Sequence, residues 1–164
     1  MALIPNAANR FKPARGIVGT WANMEEDNAR TGFAESEFAS AIPLQKGAAE
    51  MGVAPLTDGN VFIGIALRTV DMDGTPTADG AATFRVGDLL GVADMGTVFV
   101  LAGDDVTEGA LPYYDTATRQ FHGASDTGRL LIPGCAFDED AAAGEPVALR
   151  IRIVPGTAAV TAEE

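Results

Sequence analysis

Val147-Ala148-Leu149-Arg150-Ile151-Arg152-Ile153-Val154 decides the class of fold. Val147, Leu149, Ile151 and Ile153 alternate with Ala148, Arg150, Arg152 and Val154. That period of two marks a strand with one buried face and one face carrying two arginines. Outward from this strand, shorter apolar runs and turn residues recur at spacings of roughly 8 to 12 residues, the pattern of a sandwich or barrel rather than a helical bundle. Strands are expected at residues 17–21, 33–38, 61–67, 83–86, 89–93, 97–102, 111–114, 129–132 and 147–154. Turn pairs such as Asp58-Gly59, Gly87-Asp88 and Glu108-Gly109 lie between them, where a tight turn or positive φ is easily adopted. Nineteen glycines and nine prolines leave few helical windows. The best, residues 22–28 and 138–143, are each about two turns at most. The expected fold is mainly β: a compact antiparallel β-sandwich or barrel with an extended N-terminal arm and little helix.

The organisation follows from composition. Residues 1–16 hold two prolines, two asparagines and no sustained period, and read as an extended arm. Residues 17–156 form the β domain, and residues 157–164, small and charged, read as a frayed tail. The chain carries 23 acidic against 11 basic side chains, a formal charge of -12. Its first 24 residues contain Arg10, Lys12 and Arg15 and no acid, so the remainder has 23 acids against 8 bases, or -15. Such a body repels a phosphate backbone, and nucleic acid is not an expected partner. A single cysteine, Cys135, cannot form an intrachain disulfide and reads as a small buried apolar residue. The opening residues lack a signal-peptide pattern and no apolar run approaches the roughly 20 residues of a membrane span, so cytoplasmic synthesis without export or membrane association is expected.

Motifs for chemistry are weak. His122 is the one histidine, and with Ser125 or Cys135 it would have to form a nucleophile–base pair. No Gly-x-Ser-x-Gly elbow is present, and the polar stretch 119–127 reads as a loop with His122 exposed. Asp71-Met72-Asp73-Gly74 begins like a calcium loop, but Ala82 stands where the bidentate glutamate belongs. The clusters Glu25-Glu26-Asp27 and Asp138-Glu139-Asp140 read as solvated charge. There is no phosphate-cradling loop, Cys-x-x-Cys or His-Glu-x-x-His. No cofactor, no metal and no catalytic residue is expected.

From Phe84 onward the order of residues resembles the structural cement and decoration proteins of tailed-phage capsids. The resemblance is carried by Val86-Gly87-Asp88 after that aromatic, Gly96-Thr97-Val98-Phe99-Val100, and Val106-Thr107-Glu108-Gly109-Ala110 leading into Tyr113-Tyr114. A polar hairpin at 115–127, Ala136-Phe137, Ala141-Ala142-Ala143-Gly144 and the last alternating strand complete it. Residues 61–67, with Gly64 inside, match the family's middle strand. The resemblance implies a non-catalytic virion protein on the outer capsid surface that forms small oligomers and straddles boundaries between major capsid protein subunits. A homotrimer is the expected assembly, with a dimer next. Candidate contacts to capsid or partner are Arg10, Phe11, Lys12 and Arg15 of the arm and the aromatics Trp21, Tyr113 and Tyr114. The alternatives are a monomeric β-barrel binding a small ligand or glycan in a deep apolar pocket, and another virion component such as a head-completion or tail protein.

Overall fold

In the computed structural model the alternating stretch forms β12 (Pro146–Arg152), whose Val147, Leu149 and Ile151 are completely buried while Arg150 and Arg152 stay in solvent. The structure describes residues 16–23, 26–68, 82–154 and 156–162. Arm residues Arg10, Phe11, Lys12 and Arg15, Glu25, and the turn Asp71 to Gly74 lie outside them.

Strand β12 pairs antiparallel with β7 (Leu89–Leu101) on one side and β11 (Cys135–Phe137) on the other. β7 organises the molecule. Its first half pairs antiparallel with both β1 (Asn28–Ala34) and β5 (Phe62–Ala66). β5 pairs with β3 (Pro43–Lys46), β3 with β4 (Gly52–Pro55), and β4 runs parallel to β1. The circuit β1-β4-β3-β5-β7 therefore closes into a five-stranded barrel, and closure removes free sheet edges. The second half of β7 leaves the barrel and carries β12 and β11 with it.

A bulge and a glycine allow one strand to serve both halves. Opposite β1 the register passes from Asn28↔Met95 to Ala29↔Ala93, leaving Asp94 without a partner on that strand. The Asp94 carboxylate instead accepts the Asn28 amide at 2.7 Å. Two residues on, Gly96 has φ +121°, and a Cβ there would lie 2.6 Å from Cζ3 of Trp21. The kink thus requires glycine for both its backbone angle and its contact with the indole.

A three-stranded sheet, β10-β8-β9, is built from β8 (Tyr113–Asp115), β9 (Gln120–His122) and β10 (Arg129–Leu131). A ribbon pairs β2 (Phe38–Ala39) with β6 (Thr83–Phe84). Both join a continuous core containing Leu44, Phe62, Phe84, Val92, Phe121, Phe137 and Leu149. The rings of Tyr114 and Phe121 lie 5.0 Å apart and those of Phe38 and Phe84 5.5 Å apart, distances at which tilted aromatic pairs attract.

The barrel and the predominance of strands agree with the sequence. Details differ. Residues 89–93 and 97–102, expected as two strands, fall in the single β7 up to Leu101, because the bulge and Gly96 interrupt its alternation without ending it. The described parts of both helical windows are non-helical: Asn28 opens β1, and Ala141 makes a single bridge to Val106. Residues 17–21 form a turn rather than a strand, tied to β7 by the Trp21↔Val98 bridge and by backbone hydrogen bonds of Gly19 and Thr20 with Phe99. The tail expected to fray is docked through Ala162. Val160 is buried and exchanges backbone hydrogen bonds with Gly59 and Asn60, while Ala162 bridges to Leu130 and donates its N–H to Asp58.

Candidate functional site

All five barrel strands contribute to a groove of about 350 Å³ at one mouth of the barrel. Its lining includes Arg30 and Thr31 from β1, Lys46 from β3, Val53 from β4, Ile63 from β5 and Val92 from β7, with Glu50 and Met51 on the rim. Arg30 lies two residues before the buried Gly32 and four before the buried Ala34, so strand alternation turns it toward the barrel's interior at the end of β1. There its Nη2 donates to the carbonyl of Ile63 at 2.8 Å. That carbonyl is accessible because the β3–β5 register jumps from Leu44↔Gly64 to Gln45↔Phe62, skipping Ile63. A bulge thus frees an acceptor, and an arginine from across the barrel takes it. Among the described residues neither Arg30 nor Lys46 makes an ion pair.

The rim is held by a buttressed turn. Glu35, just beyond β1, accepts the backbone N–H groups of Ala48 at 2.8 Å and Ala49 at 2.7 Å. Two consecutive N–H groups on one carboxylate form an anion-binding nest. A side chain at Gly52 would overlap the Glu35 carboxylate, so that glycine leaves the space the clamp occupies. The hydrogen bonds from Ala49 and Ala48 hold the Glu35 carboxyl below its ordinary pKa, against a smaller opposing effect of desolvation. The clamp fixes the 47–51 turn, and with it the positions of Glu50 and the half-exposed Met51.

The aromatics singled out from the sequence divide. Tyr114 is buried against Phe121, and burial pushes its phenol above the ordinary tyrosine range. Its ring belongs to the core and does not offer an outward contact, because Tyr114 shares the inner face of β8 while Tyr113 is half-buried beside it. Trp21 is half-buried over Gly96 and packs on the core. The chain enters the domain close by: a Cβ on Gly16 would overlap the Phe99 ring, and the Gly19 N–H donates to the Phe99 carbonyl at 2.7 Å. Gly16 therefore lies against the second half of β7.

His122, expected in an exposed loop, is buried in β9. Its Nδ1 lies 3.0 Å from Oδ2 of Asp104, whose Oδ1 accepts the Gly123 N–H at 3.0 Å, and Arg129 Nη1 is 3.5 Å from the same carboxylate. Nε2 is buried, pressed against Gly103, and has no hydrogen-bond partner among the described residues. A histidine–carboxylate pair is therefore present, yet no hydroxyl or thiol among the described residues is hydrogen-bonded to the ring nitrogen that would activate it. Cys135 is buried, and desolvation raises its thiol pKa, which disfavours the nucleophilic thiolate.

The family model described as "Structural cement protein (E217 gp24/Pam3 gp6)" matches residues 4–152. The chain belongs to the phage structural cement family. Membership gives this cement protein a structural, capsid-associated role and a place in the virion. The match begins before the basic cluster, so the arm, which contributed nothing to the sequence resemblance, lies almost wholly within the family's span. In fold the cement protein is similar to a solved chain from "The capsid of Myoviridae Phage XM1", with a TM-score of 0.68 and 17% identity over 87% of this chain and 93% of that one. A chain from "The crystal structure of head fiber gp8.5 N base in bacteriophage phi29" aligns with a TM-score of 0.47 and 16% identity over 77% of this chain and 94% of that one. No curated protein matches the sequence.

Other edges of the cement protein are also occupied. Phe137 of β11 donates to Ala110 and accepts from Gly109, Phe121 of β9 accepts from Gly103, and Leu130 of β10 bridges to Ala162. The barrel mouth has no signature in the sequence, since Arg30 and Lys46 carry no local motif and only barrel closure brings them together. The Glu35 clamp was equally hidden, although Gly47 and Gly52 flanking one short turn are a signal of close backbone approach.

Proposed function

We propose that this cement protein binds the outer surface of a phage head and ties neighbouring major capsid protein subunits across their seams, without catalysing a reaction. The observation that carries the reading is the family match over residues 4–152, which spans the arm and almost all of the β domain. The physical design agrees. A closed barrel and covered edges suit a rigid clamp, because little ordering entropy remains to be lost on binding. The sealed Nε2 of His122 and the buried Cys135 favour a non-catalytic role. The basic arm residues Arg10, Lys12 and Arg15 meet acidic capsid surface, while the acidic body faces solvent. Trp21 and Tyr113 supply aromatic contact area near the arm and on the three-stranded sheet. Assembly into a trimer, with a dimer next in order, multiplies modest contacts by effective concentration.

A ligand that binds only the closed shell stabilises it by mass action, about 2.7 kcal/mol per site when present at 100 times its Kd. The test adds purified protein to expanded heads of the encoding phage at physiological salt, then measures bound protein by co-sedimentation and genome release on heating. Saturable binding with a higher release temperature is expected. Absence of binding, or saturation without any shift in release temperature, refutes the proposal. Sedimentation velocity on the free protein checks the trimer.

A further inference from the structure

We infer that the barrel mouth is a docking site for a capsid segment presenting a carboxylate beside an apolar side chain. The inference rests on the proposed cement role and names what this surface grips.

The chain is strongly acidic, yet the groove presents two cations, Arg30 and Lys46, against one acid, Glu50. Both cations lack an ion-pair partner among the described residues. Arg30 spends one N–H on the Ile63 carbonyl. Of its five donors the rest remain for an incoming oxygen, and the bond to Ile63 already fixes the guanidinium plane. Lys46 is exposed at the end of β3, adding a mobile point charge. Between them lies an apolar floor of Val53, Ile63 and Val92, and half-exposed Met51 supplies an adaptable rim contact. A groove of about 350 Å³ is at the small end of binding cavities; it suits side chains from a short segment.

Two further features narrow the occupant. All five strands of the closed circuit meet at the mouth and line it with Arg30, Lys46, Val53, Ile63 and Val92, so an occupant is recognised there chiefly through side chains. The chain's own arm carries Arg10, Lys12 and Arg15 and no acid, so charge disfavours it, from this copy or another, as the occupant. Complementarity selects an acidic partner, the same sign of capsid surface that suits the arm. The Glu35 clamp keeps the rim in shape before the partner arrives, which reduces the ordering cost of docking.

The test measures co-sedimentation with expanded heads for wild type, Lys46→Glu, Arg30→Ala and the control Arg119→Glu, whose exposed arginine lies outside the groove. Among the described residues Lys46 has no side-chain hydrogen-bond partner, so its variant leaves the fold intact even if Arg30→Ala disturbs the mouth. Lys46→Glu and Arg30→Ala are expected to weaken binding about tenfold or more, and Arg119→Glu by less than about twofold. Carbodiimide coupling of wild-type complexes, read by mass spectrometry, should join Lys46 Nζ to an Asp or Glu of the major capsid protein. Wild-type affinity in Lys46→Glu, equal losses in Lys46→Glu and Arg119→Glu, or a Lys46 link only to a second copy of this chain each overturns the inference while leaving the cement role standing. Failure of the wild type to bind heads defeats both.

Discussion

Replacing Gly96 by alanine tests the claim that one strand serves both the barrel and its extension. The new Cβ would sit 2.6 Å from the Trp21 ring, at a residue whose φ is +121°. The backbone angle costs an L-residue about 1–3 kcal/mol. The overlap, an ångström inside normal carbon contact, costs about 1–3 kcal/mol as overpacking. A less flexible unfolded chain offsets about 0.4–1 kcal/mol. The net loss is about 1–5 kcal/mol, a fall in Tm of roughly 2–20 °C for a domain of this size. Denaturant titration followed by the emission of Trp21, the one tryptophan, measures it. A double-mutant cycle with Trp21→Ala, followed by circular dichroism, isolates the clash with the ring, because removing it leaves the backbone cost and the 3.1 Å approach to Cβ of Asp27. The cycle should return about 1–3 kcal/mol of coupling. A loss below about 0.5 kcal/mol for Gly96→Ala, or additive costs in the cycle, would refute the described packing of Trp21 on β7.

Four other outcomes follow from particular contacts. Glu35 has a lowered pKa in the fold, so its contribution is complete above the ordinary value of 4.5 and is lost as pH falls through the folded value; Glu35→Gln should be less stable at neutral pH and show a flatter acid limb in Tm against pH. The Cys135 thiol should react with a disulfide reagent only at the rate of unfolding, and rapid stoichiometric labelling of the native protein would contradict its burial. Val160→Ala should cost about 1.5–3 kcal/mol by denaturant titration, since the tail plugs the core, whereas a truly frayed end would tolerate it within about 0.5 kcal/mol. Arg119 holds a left-handed backbone at φ 61° in the β8–β9 hairpin, so Arg119→Gly should leave stability unchanged or raise it by up to about 1 kcal/mol, and a clear loss would contradict that geometry.

What was legible in the sequence depended on how far structure is local. β12 could be read within two residues at its end because burial of one face imposes alternation on the chain itself. β7 was half-legible: its two runs were visible, but their union through Asp94 and Gly96 depends on partners far away in sequence. β3 and β4 were missed because each is four residues long, one beginning and the other ending at proline, too short for a period to show. His122 and Val160 were misread for a shared reason. Their neighbours are polar or small, and the contacts that bury them come from Asp104 and Asn60 elsewhere in the chain. The family could be recognised from turn glycines and strand order, which survive divergence because they are requirements of the backbone. The barrel mouth had no such signature, since its cations belong to two strands that meet only when the barrel closes.

The central claim is that this body sits on the outside of a phage head and joins subunits across a seam. Cryo-electron microscopy of decorated heads tests it most directly. Density for the barrel is expected on the outer surface, each assembled copy touching at least two major capsid protein subunits. Density confined to the interior or the tail, or seated on single subunits without reaching a neighbour, would contradict it.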